Sequence, residues 1–501
     1  MRDGFNPAYR DIRQLKKVLF MIAYRNFIKS IFLGLVIFLV APSIVFATIK
    51  LPAIFSDNMV LQQQTNAAIW GWSNAGSVVH VTTSWNKKKY LVRTNSEGKW
   101  DLKVSTPQAG GPYTITISDG QPVTIKNVLI GEVWLCSGQS NMEMPLKGFR
   151  DTPVEGSNDA IFNSTNDMLR IYTVPRAVER SVMDTSKTSY WKSAAPGTVN
   201  NFSATAYYFG RLLQQQLHVP VALIHDSYGG SPAEAFMSAA SLKEFPGIKI
   251  PSPSGNEKLT NKIATTLYNG MIHPIIGYTI KGCIWYQGES NYDRPDQYEK
   301  LFPAMVKLWR DEWKQGDFPF YFAQIAPFNY ASLPGNVHTD KMNSAYLRDA
   351  QRRSLNVIPN SGMIVLMDIG EENNIHPRHK EIGGKRFAYL VLGDTYHYDG
   401  FEYQSPVFDT MSVSGNTAKI KFKYTPNGLT SFGKQLTQFE IAGEDKNFHP
   451  AQAVVRNAAV YVSSPLVAKP VAVRYAFKDF VKGELFSTGG FPVSSFRTDD
   501  W

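Results

Sequence analysis

Val128-Leu-Ile-Gly-Glu-Val-Trp-Leu-Cys-Ser-Gly-Gln-Ser-Asn-Met142 reads as a buried strand that breaks at a small-residue turn and presents one hydroxyl, Ser140. The apolar run from Val128 to Leu135 supplies the strand, and Ser137-Gly138 ends it. A serine just past a strand end, before a helix, has its Oγ exposed beside its own backbone N–H, as acyl transfer requires. The pattern is not Gly-x-Ser-x-Gly, because Gly138-Gln-Ser-Asn-Met142 lacks the second glycine. On its own the segment also fits an ordinary serine in a turn.

Working outward from that turn, the chain's 501 residues and 43% hydrophobic content suit two or three domains with packed cores. The N-terminus is a separate matter. Arg25 and Lys29 precede an uncharged, largely apolar stretch, Ile31 to Val40, and Val45-x-Ala47 suits signal peptidase. Residues 21–47 therefore read as a signal peptide, with 1–20 as an upstream extension and the mature chain periplasmic or secreted. An uncleaved membrane anchor is the rival reading, since Ile31 to Ala47 is nearly long enough to span a bilayer. No membrane contact is expected after cleavage, and no cysteine near Ala47 suggests a lipoprotein.

The formal charge of +10 shrinks once residues 1–47 are set aside, because they hold seven Lys/Arg and two Asp/Glu. What remains is 45 basic and 40 acidic residues, a net +5. No dense basic run is left; Lys87-Lys-Lys89 reads as a solvated hairpin, and nucleic acid is not an expected partner. Cys136 and Cys283 both lie in strand-like apolar runs and read as buried thiols, with no disulfide framework.

From Thr48 to Asn127 the pattern has period two: Val79, Val81, Thr83 and Trp85 share one face, and Tyr113, Ile115 and Ile117 another. That is a small all-β domain, 48–127. From 128 to 398 strand runs alternate with helical spacing. Phe202, Ala206, Phe209, Leu213 and Leu217 precede the strand Val219 to Ile224. Leu301, Met305, Leu308, Trp309 and Trp313 follow the strand Ile280 to Trp285, and a helix from Arg378 to Leu392 follows the strand Met363 to Met367. Such alternation predicts a parallel sheet covered by helices. From 399 to 501 period two returns, with Ile420, Phe422 and Tyr424 between lysines and further strands at Val454 to Val462 and Val471 to Phe477. The stretch from Phe149 to Asn200 has weak periodicity and reads as a loop over the sheet edge or the site.

Ligands gather at the carboxyl ends of parallel strands, so the polar clusters just past each strand should converge. These are Ser140, Tyr228-Gly-Gly-Ser231, Tyr286-Gln-Gly-Glu-Ser-Asn291, and Asp368 with Ile375-His-Pro377. They suit a nucleophile, Ser140, and a general base, His376. The Ser140, Gly229 and Gly230 N–H groups and the Gln287 amide are candidate oxyanion donors.

These blocks, Gly138-Gln-Ser-Asn-Met142, Gly229-Gly-Ser-Pro232, Trp285-Tyr-Gln-Gly-Glu-Ser-Asn291 and Ile375-His-Pro377, resemble in order those of the sialate O-acetylesterase family of SGNH hydrolases. The likeness runs from Leu51-Pro-Ala-Ile-Phe-Ser-Asp-Asn-Met-Val-Leu61 through Gly110-Gly-Pro-Tyr113 to Phe496-Arg-Thr-Asp-Asp-Trp501. It implies a three-layer α/β/α SGNH-hydrolase-like core flanked by N- and C-terminal β-sandwich-like segments. It also implies removal of acetyl groups from sugar hydroxyls, with Ser140 matching the nucleophile and His376 the base. One departure stands out. SGNH enzymes often carry Asp-x-x-His, and this chain has Asn373-Asn-Ile-His376. Asp368, or a backbone carbonyl on Nδ1–H, is the substitute to look for.

His273 lies in the same Ile-His-Pro tripeptide but reads as structural. Asn141, Glu289, Asn291, Arg294 and Arg378 are candidate substrate-binding residues; Arg294 and Arg378 suit a sugar carboxylate, a solvated surface suits them equally, and Glu289 also fits a helix start. His376 and His379 lack further nitrogen or sulfur ligands nearby, so neither metal nor cofactor is expected. The expected partner is an O-acetylated carbohydrate, with oligomeric state undetermined. Alternatives are an acetyl esterase for xylan or pectin, since loops set the sugar, and a non-catalytic glycan-binding protein, supported by the missing acid. A glycosidase would need paired carboxylates; Asp368, Glu371 and Glu372 cluster on one segment and leave Ser140 unexplained.

Overall fold

The computed structural model describes residues 8–39, 49–333 and 343–501. The chain divides between Thr48 and Ile49 into two units. The first contributes one helix, Ala8–Leu39. No helix among the described residues is long and apolar enough to cross a membrane. The expected cleavage point after Ala47 lies outside the described residues.

In the second unit the strand Pro122–Gly138 joins two kinds of sheet. Its first part pairs antiparallel with Gly110–Ser118 and parallel with Val60–Gln62. Its last part pairs parallel with Val221–Ser227 on one side and Gly282–Tyr286 on the other. Burial follows the change: Pro122 to Asn127 is mostly exposed or half-exposed, and every residue from Val128 to Gly138 is buried. A strand with one wet face alternates; one covered on both faces does not. The boundary expected at 127 thus falls inside a single strand.

The parallel sheet runs, edge to edge, Ser361–Ile364, Phe320–Ala323, Gly282–Tyr286, Pro122–Gly138, Val221–Ser227 and Asn166–Thr173, with Lys192–Ala194 added antiparallel. Register assigns its faces. Trp134 lies opposite Leu223, and on that face the helix Ala204–Leu217 packs, with Phe209 edge-on to Trp134 at 5.5 Å. Trp285 lies opposite Ser137 on the other face, and meets Trp309 of the helix Pro295–Trp313 at 5.5 Å. The helix Lys380–Asp394 lies against Ala204–Leu217, and Asn343–Ser354 against Pro295–Trp313. The result is the helix-covered parallel sheet that the strand and helix alternation predicts, in the three-layer α/β/α arrangement that the family resemblance implies.

Local chemistry fixes the helix starts. Ser203 caps Ala204–Leu217 by accepting the Ala206 N–H at 3.0 Å, and Pro295 opens the next helix, where a missing N–H costs nothing. The strand Asn166–Thr173 corrects the reading of 149–200 as loop. It has only four consecutive buried residues, one of them Arg170, so neither period stands out.

Beyond the core, Val407–Ser414, Thr417–Lys423, Ala459–Ser463 and Gln452–Arg456 form one antiparallel sheet, and Phe448–Pro450, Phe439–Ala442, Ala472–Tyr475 and Phe496–Arg497 another. Ala418, Ile420 and Phe422 are buried while the intervening lysines face outward. Phe496 joins the two layers, with its ring 5.0 Å from Phe408, 5.7 Å from Phe422 and 6.0 Å from Tyr475. Cys283 is in register with Leu135, and Ile284 with Cys136, so the two free thiols point to opposite faces and cannot pair.

Candidate active site

Register brings three strand ends level. Ser227 and Tyr286 flank Gly138 on the two neighbouring strands, so the segments that follow each of them emerge side by side. At Gly138 φ is +142°, and a Cβ there would collide with the Tyr286 carbonyl oxygen. Only glycine lets the central strand turn this close to its neighbour. Gly138→Ala is expected to cost roughly 3 kcal/mol or more, from backbone clash and positive φ together. A denaturant titration checks this, and an unchanged midpoint would contradict it.

Gln139 secures the turn. Its N–H donates to the Tyr286 oxygen at 3.0 Å, and its side-chain Oε1 accepts the Ser290 N–H at 3.1 Å. Ser140 then opens the single-turn helix Ser140–Glu143, its side chain half-buried while Asn141 and Met142 are enclosed. Gly229 presses against it: a Cβ on Gly229 would sit 3.2 Å from the Ser140 Cβ and 2.8 Å from Glu143 Oε2.

The segment bearing His376 arrives from the sheet edge and is tied to the residue beside Ser140. Asn141 Nδ2 donates to the Ile375 carbonyl at 3.0 Å and to Glu289 Oε1 at 2.5 Å, while Asn141 Oδ1 accepts from the Lys380 ammonium. His376 N–H donates to Asn374 Oδ1 at 3.0 Å, and its ring meets Phe149 edge-on at 5.2 Å. Burial, and then the Lys380 charge, push the imidazole down to about 4. Burial likewise pushes Lys380 down to about 7, against the opposing pull of Glu289 and Glu371, and raises the Glu289 carboxyl. Among the described residues no hydrogen bond reaches the His376 ring or the Ser140 hydroxyl, so the two are not bonded to each other.

Residues 130–388, just over half of the chain, match the family model for carbohydrate esterase, sialic acid-specific acetylesterase. The chain belongs to this family. A carbohydrate acetylesterase from Xanthomonas citri, of known structure, is 33% identical and superposes with a TM-score of 0.81, over 91% of this chain and 100% of its own. Sialate O-acetylesterases from Homo sapiens and Pongo abelii are each 28% identical, over 78% of this chain and 80% of theirs. As a carbohydrate esterase the chain is a carboxylic ester hydrolase.

Within this acetylesterase fold several expected roles need correction. Gln287 is fully buried, and its Nε2 is spent on Asn291 Oδ1 at 2.7 Å and the Ser231 carbonyl at 3.3 Å, so it braces two loops instead of facing an oxyanion. Asp368 does not orient His376: Arg386 takes both its oxygens at 2.7 Å. The Gly229 N–H reaches the nucleophile turn but donates to Glu143 Oε2 at 2.9 Å, and Glu143 is gripped in turn by Arg176. Gly230, at φ +73°, shapes the turn.

Asn291 is also a brace, accepting the Ala233 N–H at 2.9 Å and donating to Glu234 at 3.0 Å. Arg294 pairs with Glu234 at 2.8 Å, and Arg378 is a half-exposed partner of Glu155. Asn141, next to Ser140 in the chain, is bonded to Glu289 and to Lys380, so these two candidates belong to one buried cluster. His273 is structural, bonded through Nδ1 to the Met183 carbonyl at 2.9 Å. Among the described residues no group of three His, Cys, Asp or Glu is placed to hold a metal ion.

Sequence reasoning missed Lys380, Phe149 and the Glu143–Arg176 pair. One signal was available for the first: Arg378-His-Lys380 puts cations at the start of a helix, where the dipole opposes them.

Proposed function

We propose that this carbohydrate esterase removes O-acetyl groups from sugars through an acyl-enzyme on Ser140, with His376 as general base. The observation that carries the reading is Ser140 at the carboxyl end of the central strand, with its neighbour Asn141 bonded to the peptide that leads into His376. His376 takes the Ser140 proton as Oγ attacks the acetyl carbonyl, and then returns it to the departing sugar oxygen. The Ser140 N–H receives the oxyanion, and the Gly229 N–H can join it when Glu143 shifts its bond fully to Arg176. Water, activated by His376, releases acetate. Catalytic hydrogen bonds commonly close only once substrate is bound, and the Ser140 to His376 bond is of this kind. A fluorophosphonate probe followed by peptide mapping tests the assignment: a single adduct on Ser140 is expected, and modification elsewhere would overturn it.

The relatives named as sialate O-acetylesterases favour an acidic sugar, and a cavity beside the Gly229 loop supports it. Asn261 borders this loop, donating to the Gly229 carbonyl at 2.7 Å. The cavity, of about 360 Å³, is lined by Glu234, Lys249, Glu257, Lys262 and Arg294. Arg294 already holds Glu234 and Arg180 holds Glu257, each at 2.8 Å, so the two lysines leave the cavity net positive. A sugar carboxylate would meet that charge. Lys249→Ala combined with Lys262→Ala is expected to raise KM for O-acetyl sialic acid about tenfold and leave p-nitrophenyl acetate hydrolysis unchanged. Equal KM values in mutant and wild type would favour acetylated xylan or pectin as the substrate class.

Export remains part of the proposal. The basic flank Arg25 and Lys29 and the apolar run ending at Ala47 support a periplasmic or secreted enzyme.

A further inference from the structure

Among the described residues no carboxylate bonds the His376 ring, yet a base must be held in place to act. Its backbone supplies the constraint. The Ile375 carbonyl and the His376 N–H belong to one peptide plane, and both ends are bonded, the carbonyl by Asn141 Nδ2 at 3.0 Å and the N–H by Asn374 Oδ1 at 3.0 Å. Pro377 follows, which confines the backbone of His376 to extended conformations. Phe149 then walls one side of the ring. The orienting task that an acid performs on Nδ1 elsewhere falls here on the peptide.

Asn141 can serve this purpose only if its amide cannot turn. Lys380 and Glu289 fix it: the ammonium donates to Oδ1 and the carboxylate accepts from Nδ2, so a flip would set donor against donor and acceptor against acceptor. The arrangement is expensive, since Lys380 and Glu289 are both buried and Lys380 sits in the first turn of its helix. Glu289 keeps one buried oxygen without a partner among the described residues. The charged or titratable groups facing Lys380 are Glu289, Glu371 and His376, with the Tyr286 ring 5.7 Å beneath it.

We infer that Lys380, acting through Asn141 and with Glu289, is the positioning residue that holds His376 over Ser140 in place of a triad acid. The inference rests on His376 being the base, and a double-mutant cycle separates the two claims. Lys380→Met should lower kcat for p-nitrophenyl acetate about 100-fold with KM changed less than about threefold. Lys380→Arg, which keeps a donor to Asn141, should restore at least a tenth of the wild-type kcat. In a His376→Ala background, Lys380→Met should cost less than about twofold, because no ring is left to position.

An equal loss in both backgrounds, or none in either, would overturn the inference while leaving His376 as base. Full activity in His376→Ala would instead overturn the base assignment itself. Should Lys380→Met fail to fold, Asn141→Asp repeats the test by replacing the donor to Ile375 with an acceptor, and the same non-additivity with His376→Ala is expected.

Discussion

His376→Ala is expected to lower kcat for p-nitrophenyl acetate by about 10⁴-fold while leaving the fold intact. The hydroxyl of Ser140 is a poor nucleophile until a base removes its proton, and His376 is the base tied to the adjacent residue. Its ring bonds to nothing among the described residues, so truncation sacrifices packing against Phe149 and little else.

The pH profile gives the assignment a second handle. Burial and the Lys380 charge hold the imidazole at about 4 instead of 6.5, so the neutral form persists well below pH 6. The acid limb of kcat/KM should therefore fall near pH 4. Stability follows with a definite sign. Between about 4 and 6.5 the unfolded chain's histidine is protonated and the folded one is not, so the unfolded state binds more protons and stability drops as pH falls through that window. Wild-type-like kcat in the alanine variant, or an acid limb at 6.5 with full activity above it, would count against this account.

The parallel core was legible because its strands are short apolar runs and its helices keep helical spacing, as in Phe209, Leu213 and Leu217. The convergence of Ser140, Gly229 and the 287–291 turn was legible for the same reason, since strand ends in a parallel sheet line up. What sequence could not supply was the use each polar group makes of its neighbours. Gln287 and Asn291 have the right chemistry for substrate, but they spend it on each other. Asp368 is a carboxylate at the right strand end, but Arg386, eighteen residues on, takes both its oxygens. Lys380 is invisible for the opposite reason: lysines are rarely buried, and only tertiary contacts with Asn141 and Glu289 make this one so. Asn166–Thr173 was lost because a short strand with Arg170 among its buried residues carries too little pattern to read.

Ser140→Ala is expected to have the largest effect of any substitution, about 10⁵-fold on kcat, since it removes the atom that forms the covalent bond. The residual rate reflects only the oxyanion donors and binding. Its stability should match the wild type, because the Ser140 hydroxyl makes no hydrogen bond among the described residues and alanine is a good helix former at this position. Loss of activity in this variant therefore reports chemistry and not folding.

Acetate release from O-acetyl sialic acid and from p-nitrophenyl acetate, measured side by side for wild type and Ser140→Ala at matched melting temperature, tests the central claim most directly. Steady release by the wild type and a fall of about 10⁵-fold in the variant on both esters is the predicted result. Equal rates in the two proteins would contradict it.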